Sequence, residues 1–307
     1  MTSAVLSPPT ADRPTAEGDV APPPTAEPGP APAAVGLDDT FERQRRARWQ
    51  VPDCAARRRT LKALIGWVEA NADAIRRAGA DDFGKPAVEV DLTEIVPVLS
   101  EARFALKHLE GWMKPKKVKS VLALASTRSK ILHEPRGVVL IISPWNYPFN
   151  LTVGPLVSAL AAGNRVMLKP SESTPHTSAL LARMVEELYV PDEVALFEGE
   201  ADVAKALLDK PFDHIFFTGS PEIGRHVMAA ASKHLTSVTL ELGGKSPVIV
   251  DRSAHLKDAV AKTLVGKWIN AGQTCIAPDY VLVERTAMPA FVARMKTELE
   301  RAYGTTA

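Results

Sequence analysis

The stretch GVVLIIS, Gly137–Ser143, is a short β-branched run that closes on a polar residue. A helical pattern follows it, VGPLVSALAAG (Val153–Gly163), and then a second short run, RVMLK (Arg165–Lys169). The alternation continues. TSALLARMVEEL (Thr177–Leu188), ADVAKALL (Ala201–Leu208) and PEIGRHVMAAAS (Pro221–Ser232) read as helices. VALFEG (Val194–Gly199), HIFFTGS (His214–Ser220) and SVTLEL (Ser237–Leu242) read as strands between and after them. Strand alternating with helix predicts an α/β fold, a parallel sheet covered by helices on both faces. The apolar strands fit burial on both sides.

Upstream the pattern is helical. Leu61, Leu64, Ile65, Val68, Ala72 and Ile75 make one apolar face. Leu92, Ile95, Val96, Leu99, Ala102, Leu106 and Leu109 make a second, with Pro97 an expected irregularity. The lysines of KPKKVKS (Lys114–Ser120) read as a solvated linker or the approach to a strand. Residues 1–36 hold nine prolines and eight alanines, so they bury too little apolar surface to offset chain entropy and read as a disordered tail. Order is expected to begin near Asp38–Thr40, where a capping residue precedes a charged helix.

The 307 residues suggest about two domains at ~150 residues each. A net charge of +1 points to neither nucleic acid nor an anionic membrane. Two cysteines make no disulfide framework. MTSAVLSPPT lacks the features of a signal peptide, and no apolar run approaches the ~20 residues of a membrane span. The expected setting is the reducing cytoplasm.

Several turns carry candidate chemistry. INAGQTCIAPDY (Ile269–Tyr280) sets Cys275 among small and polar residues, in a glycine-marked turn that exposes the sulfur to backbone N–H groups. Thiolate, not thiol, is the nucleophile, so Cys275 needs a nearby base or donors. Cys54, beside Asp53 in the helical region, reads as structural. ISPWNYPFN (Ile142–Asn150) is a stiff loop at a strand's carboxyl end, where open α/β sheets bind ligands. The Asn146 amide is a dipole able to donate to a developing oxyanion, or simply a turn residue. Trp145 and Tyr147 read as packing.

LELGGKSP (Leu240–Pro247) places Glu241 between apolar residues at a strand end. A poorly solvated acid there has its pKa raised toward general-base use; the alternative is a carboxylate paired with Lys245. In FFTGSPEIG (Phe216–Gly224), Gly219 allows a tight turn, Ser220 caps the helix and Pro221 suits its first position. A pyrophosphate would meet free N–H groups there, although the turn also serves as a plain connection. In MLKPSE (Met167–Glu172), Lys169 and Glu172 form either a ribose-binding pair or an ordinary ion pair. The seven histidines show no ligand spacing, and no metal site is expected.

Together, SPWNYPFNL, AAGN with LKPSE, FTGS, VTLELGGKSP and GQTCIAPDY resemble the aldehyde dehydrogenase family in order and spacing, including 34 residues from Glu241 to Cys275. The likeness runs from about residue 38 to 307. WNYPFNLT and QTCIAPDY resemble its class 3 branch, which includes coniferyl-aldehyde and fatty-aldehyde dehydrogenases.

The resemblance implies a Rossmann-like cofactor domain (37–113 and 138–240), a bridging, oligomerising strand segment (114–137), and an incomplete α/β catalytic domain (241–307). It implies a homodimer. Cys275 matches the nucleophile, Asn146 with the Cys275 N–H the oxyanion donors, and Glu241 the base that activates water on the thioester left by hydride transfer. Lys169 and Glu172 match adenosine-ribose contacts, and Gly219, Ser220 and Gly224 the cofactor turn. Trp145 joins the cofactor-binding set. A carboxylate at Glu172 favours NAD, and the class also accepts NADP. Family members continue beyond AYGTTA, through the rest of the catalytic domain, an EEIFGP-type glutamate and a C-terminal strand. The implied activity is therefore oxidation of an aromatic or aliphatic aldehyde to its acid. The alternative is an inactive remnant that keeps dinucleotide binding or subunit pairing. Release to CoA is a third reading, against which Glu241 argues.

Overall fold

The computed structural model describes residues 36–119, 121 and 126–304. The predicted tail lies outside these residues except for Gly36. The chain opens with α1 (Leu37–Ala47), α2 (Cys54–Ala70) and α3 (Ala72–Phe83). There follow α4 (Ala87–Val90), a π-helical turn (Asp91–Ile95) and α5 (Val96–Met113). The start of α1 differs from expectation. Gly36 occupies the N-cap without a side-chain bond, and Asp38 and Asp39 sit inside the first turn, where they complement the helix dipole.

All six residues of the first predicted face join one core, and the second face holds except at two residues. The first is cut at Asn71, whose N–H bonds the Trp67 carbonyl and ends α2 before α3 begins. The second keeps Ile95, Ala102 and Leu109 buried and Leu99 and Leu106 against the core, but loses Leu92 and Val96. The π-turn adds a residue to one turn, so the helical phase shifts on either side of it. Leu92 and Val96 consequently face solvent, while Val98, Ala102, Ala105 and Leu109 are buried.

An antiparallel strand pair, β1 (Lys116–Val118) with β2 (Ser129–Ile131), precedes the sheet. The sheet strands are β3 (Val138–Ile142), β4 (Arg165–Lys169), β5 (Val194–Leu196), β6 (His214–Gly219) and β7 (Ser237–Leu242). They are joined by α6 (Asn150–Ala162), α7 (Pro175–Leu188), α8 (Ala201–Leu208) and α9 (Pro221–Ser232). All pairings are parallel, in the order β5-β4-β3-β6-β7. The chain starts in the middle, winds outward through β4 and β5, and returns to place β6 on the other side of β3. The order reverses between β3 and β6, where doubly wound sheets open a ligand crevice.

Strand β3, at the centre of the sheet, is buried on both faces, whereas β7 is only partly covered. Val139 and Ile141 join the core made with α2, α3, α5, α6 and α7. Val138, Leu140 and Ile142 alternate into the opposite core, with Leu37 and Phe41 of α1, Val203 and Leu207 of α8, and Val227 of α9. Beyond the sheet, β8 (Ser246–Val250) pairs in parallel with β9 (Pro278–Val283). Helices α10 (Leu256–Trp268) and α11 (Met288–Tyr303) pack on them through a small core of Val250, Val260 and Phe291. Among the described residues no helix is long and apolar enough to cross a membrane.

Candidate active site

Three segments distant in sequence meet at the carboxyl edge of the sheet. The loop after β3 brings Asn146, the end of β7 brings Glu241, and the turn after α10 brings Cys275. All three line one cavity of about 570 Å³, with Trp145, Thr218, Gly219, Ser220, Gly244, Gln273 and Thr274.

The loop after β3 is anchored from below. Its Ser143 N–H donates to the Lys169 carbonyl at 3.1 Å, extending the β3–β4 ladder by one rung. At its far end the Asn150 N–H donates to Glu94 Oε2 at 2.8 Å. Glu94 is itself paired with Lys85 at 2.8 Å, both side chains at most 4% exposed. Burial raises the Glu94 carboxyl, and Lys85 and the backbone donors pull it back down without cancelling the rise. The Lys85 ammonium also lies 4.6 Å from the Tyr147 ring centroid. Asn146, between these anchors, donates from Nδ2 to the Gln273 carbonyl at 2.9 Å. An amide nitrogen carries two hydrogens, so one N–H remains for a ligand.

The cysteine turn is conformationally unusual. Asn270, Ala271 and Gly272 are all left-handed, with φ of 53°, 54° and 78°. Asparagine and glycine tolerate this region, but alanine there is strained. The Asn270 side chain bonds the Asn146 carbonyl at 2.8 Å and the Gln273 carbonyl at 3.3 Å. Tyr147 O–H and Thr274 Oγ1 are hydrogen-bonded, one residue from the thiol. Tyr147, expected as packing, therefore packs and also ties two loops together. Cys275 is exposed in its turn, while Cys54 is half-buried against the helical core.

Glu241 differs from expectation. Its side chain is exposed rather than poorly solvated, because β7 is an edge strand covered by β6 on one side only. The alternative pairing with Lys245 is also absent: Lys245 reaches Asp279 at 3.3 Å instead. The turn after Glu241 lies against the cysteine loop. A Cβ on Gly244 would stand 3.2 Å from the Cys275 carbonyl oxygen, so a larger residue fits only if the cysteine loop gives by a few tenths of an ångström.

The turn opening α9 has the predicted cap. Ser220 Oγ accepts from the Ile223 N–H at 3.3 Å, and Pro221 takes the first helical position. The expectation of several free N–H groups needs trimming. Proline has none, Ser220 Oγ occupies that of Ile223, and the Ser220 carbonyl occupies that of Gly224. Gly224 is buried, with space for a Cβ limited by Leu242 of β7 at 3.1 Å, so it sets helix–strand packing. Gly219 lies over the Phe217 ring.

Lys169 and Glu172 lie one strand over and outside the cavity. They are hydrogen-bonded at 2.7 Å, with Lys169 buried and Glu172 half-exposed. Burial works to raise the Glu172 carboxyl, but the Lys169 ammonium and a backbone N–H outweigh it and hold it below the ordinary value.

Residues 38–304 match the family model described as Aldehyde dehydrogenase family. The chain is 46% identical over 245 residues to aldehyde dehydrogenase family 3 member H1 of Arabidopsis thaliana, covering 80% of this chain and 51% of that protein. It is 46% identical over 263 residues to a probable coniferyl aldehyde dehydrogenase of Pseudomonas aeruginosa, covering 85% and 55%. A substrate-bound Staphylococcus aureus AldH superposes with a TM-score of 0.85 at 39% identity, covering 88% of this chain and 59% of that one. The chain spans about half the length of the curated relatives it matches. With a matching model over most of its length and class 3 relatives at this identity, the chain belongs to the aldehyde dehydrogenase family.

Proposed function

We propose that this chain carries the nucleophile, base and oxyanion donor of an NAD(P)-dependent oxidation of aldehydes to carboxylic acids. The observation that carries this reading is the convergence of Cys275, Glu241 and Asn146 on one cavity at the sheet's carboxyl edge. Cys275 attacks the aldehyde carbon. The free Asn146 N–H and the Cys275 backbone N–H receive the oxyanion. Glu241, open to solvent at the cavity wall, takes a proton from the water that hydrolyses the thioester. NAD(P), when bound, supplies the hydride acceptor. The donor set fits a dinucleotide: an ammonium and a carboxylate at Lys169 and Glu172 match ribose hydroxyls, and the capped turn at Gly219–Ser220 borders the crevice beside Trp145. A carboxylate at the ribose favours NAD over its 2′-phosphorylated form. The Pseudomonas relative's name supports aromatic aldehydes of the coniferyl type as substrates, with aliphatic aldehydes as the other class.

A second reading is dinucleotide binding or subunit pairing without turnover. The exposed apolar side chains Ile249, Val265 and Leu282 beside β8–β9 favour it. Purified protein with NAD and a panel of aromatic and aliphatic aldehydes separates the two. NADH formation, abolished in Cys275→Ala with cofactor binding kept, is the expected result. Cofactor binding with no turnover on any aldehyde supports the second reading, and oxidation surviving in Cys275→Ala overturns the first.

A further inference from the structure

The left-handed run Asn270–Gly272 needs something to hold it, because such backbone persists only where its surroundings over-determine it. Side-chain bonds from Asn270 tie it sideways to the Asn146 and Gln273 carbonyls. Its backbone is held from elsewhere. The Asn270 N–H, at a residue 5% exposed, donates to Glu89 Oε2 at 3.1 Å across 181 positions of sequence. Glu89 lies on α4, immediately before the π-turn, and the same short region supplies two further supports to the site. Lys85 lies against the Tyr147 ring, and Glu94 accepts the Asn150 N–H. Of these contacts, Glu89 alone reaches the cysteine turn directly.

We propose that Glu89 is a positioning residue that clamps the Asn270–Gly272 turn and so sets the Cys275 thiol against the Asn146 amide. The effect on turnover rests on the proposed aldehyde oxidation; the clamp itself does not. A buried N–H without an acceptor is costly, so loss of the carboxylate lets the strained turn relax toward ordinary backbone. Asn270 then releases the Asn146 carbonyl, and the nucleophile and oxyanion donor lose register. Glutamine at 89 keeps an acceptor oxygen at the same reach, whereas alanine and aspartate do not.

Hydrogen exchange read by mass spectrometry tests this on the full chain without needing activity. In Glu89→Ala and Glu89→Asp, the peptide spanning residues 268–276 is expected to exchange about tenfold faster or more, as for loss of a bond to a charged acceptor. Peptides from β3, β4 and β6 keep their protection, and Glu89→Gln stays close to the parent protein. Where turnover is measurable, kcat falls in the alanine variant with KM little changed, and the glutamine variant recovers it. Unchanged exchange in 268–276 for the alanine and aspartate variants overturns the clamp. Equal acceleration across the sheet peptides also overturns it, because Glu89 would then support the whole fold. Local acceleration without any aldehyde turnover keeps the clamp and counts against the oxidation reading instead.

Discussion

Replacing Lys85 with methionine removes the cation from a pair that water barely reaches. Both side chains are at most 4% exposed and their charged atoms stand 2.8 Å apart. Methionine preserves most of the volume, so the loss is electrostatic rather than a cavity. Removing one partner of a buried pair leaves an uncompensated charge and costs about 3–5 kcal/mol. At roughly 2–4 °C per kcal/mol for a domain of this size, the midpoint should fall by roughly 6–20 °C. Glu94 limits the damage by taking a proton. Its carboxyl is already raised by burial, and without Lys85 it rises further. A folded carboxyl that holds its proton more tightly than the unfolded one is stabilising at low pH. That contribution is fully present below the unfolded pKa and is lost as pH rises through the folded one. The deficit of Lys85→Met should therefore shrink as the buffer is made more acidic, and adding Glu94→Gln should return part of the lost stability at neutral pH. Urea unfolding of the parent, the single variant and the double variant at several pH values measures all of this. A loss below ~1 kcal/mol in Lys85→Met, within the range of exposed pairs, would refute the reasoning.

Two further outcomes follow from the site's packing. In Gly244→Ala the new Cβ presses on the Cys275 carbonyl, 3.2 Å away, and the cysteine loop must give by a few tenths of an ångström. Turnover should drop about tenfold while thermal stability stays near the parent value, since small misplacements at a reacting centre cost rate before they cost fold. In Glu172→Gln the acid limb of stability should flatten. The Glu172 carboxyl is held below its ordinary value, so its contribution is present above the unfolded pKa of about 4.3 and disappears as pH falls through the folded one. Because Glu172 is half-exposed, the difference in a pH series of melting curves should stay under ~1 kcal/mol.

Much of the sheet was legible in the residues alone. Arg165–Lys169 and Ser237–Leu242 form strands with the bounds their sequences suggest, because each is a short run of mostly apolar residues bounded by turn residues. Ser220 and Pro221 mark the start of α9 by their chemistry. The π-turn was not legible, because a reading at period 3.6 misses the added residue at Asp91–Ile95 and puts Leu92 and Val96 inside. The solvation of Glu241 was misjudged for a related reason. Apolar neighbours along a strand do not show that the strand lies at an edge. Within the site, the three candidate residues could be picked out by their turns. The contacts that join their loops could not, since Glu89–Asn270 and Tyr147–Thr274 span 181 and 127 positions and leave no local pattern. The asparagine–alanine–glycine run before the cysteine was the one hint of a left-handed turn.

The most direct measurement is intact-protein and peptide mass spectrometry of Glu241→Gln after mixing with NAD and an aldehyde. Without a base to activate water, the acyl group should remain on the enzyme, so a mass increase equal to the substrate acyl less the thiol hydrogen it replaces is expected, mapped to Cys275, alongside a single burst of NADH. NADH formed at a steady rate with Cys275 unmodified, or an acyl group found on Cys54, would contradict it.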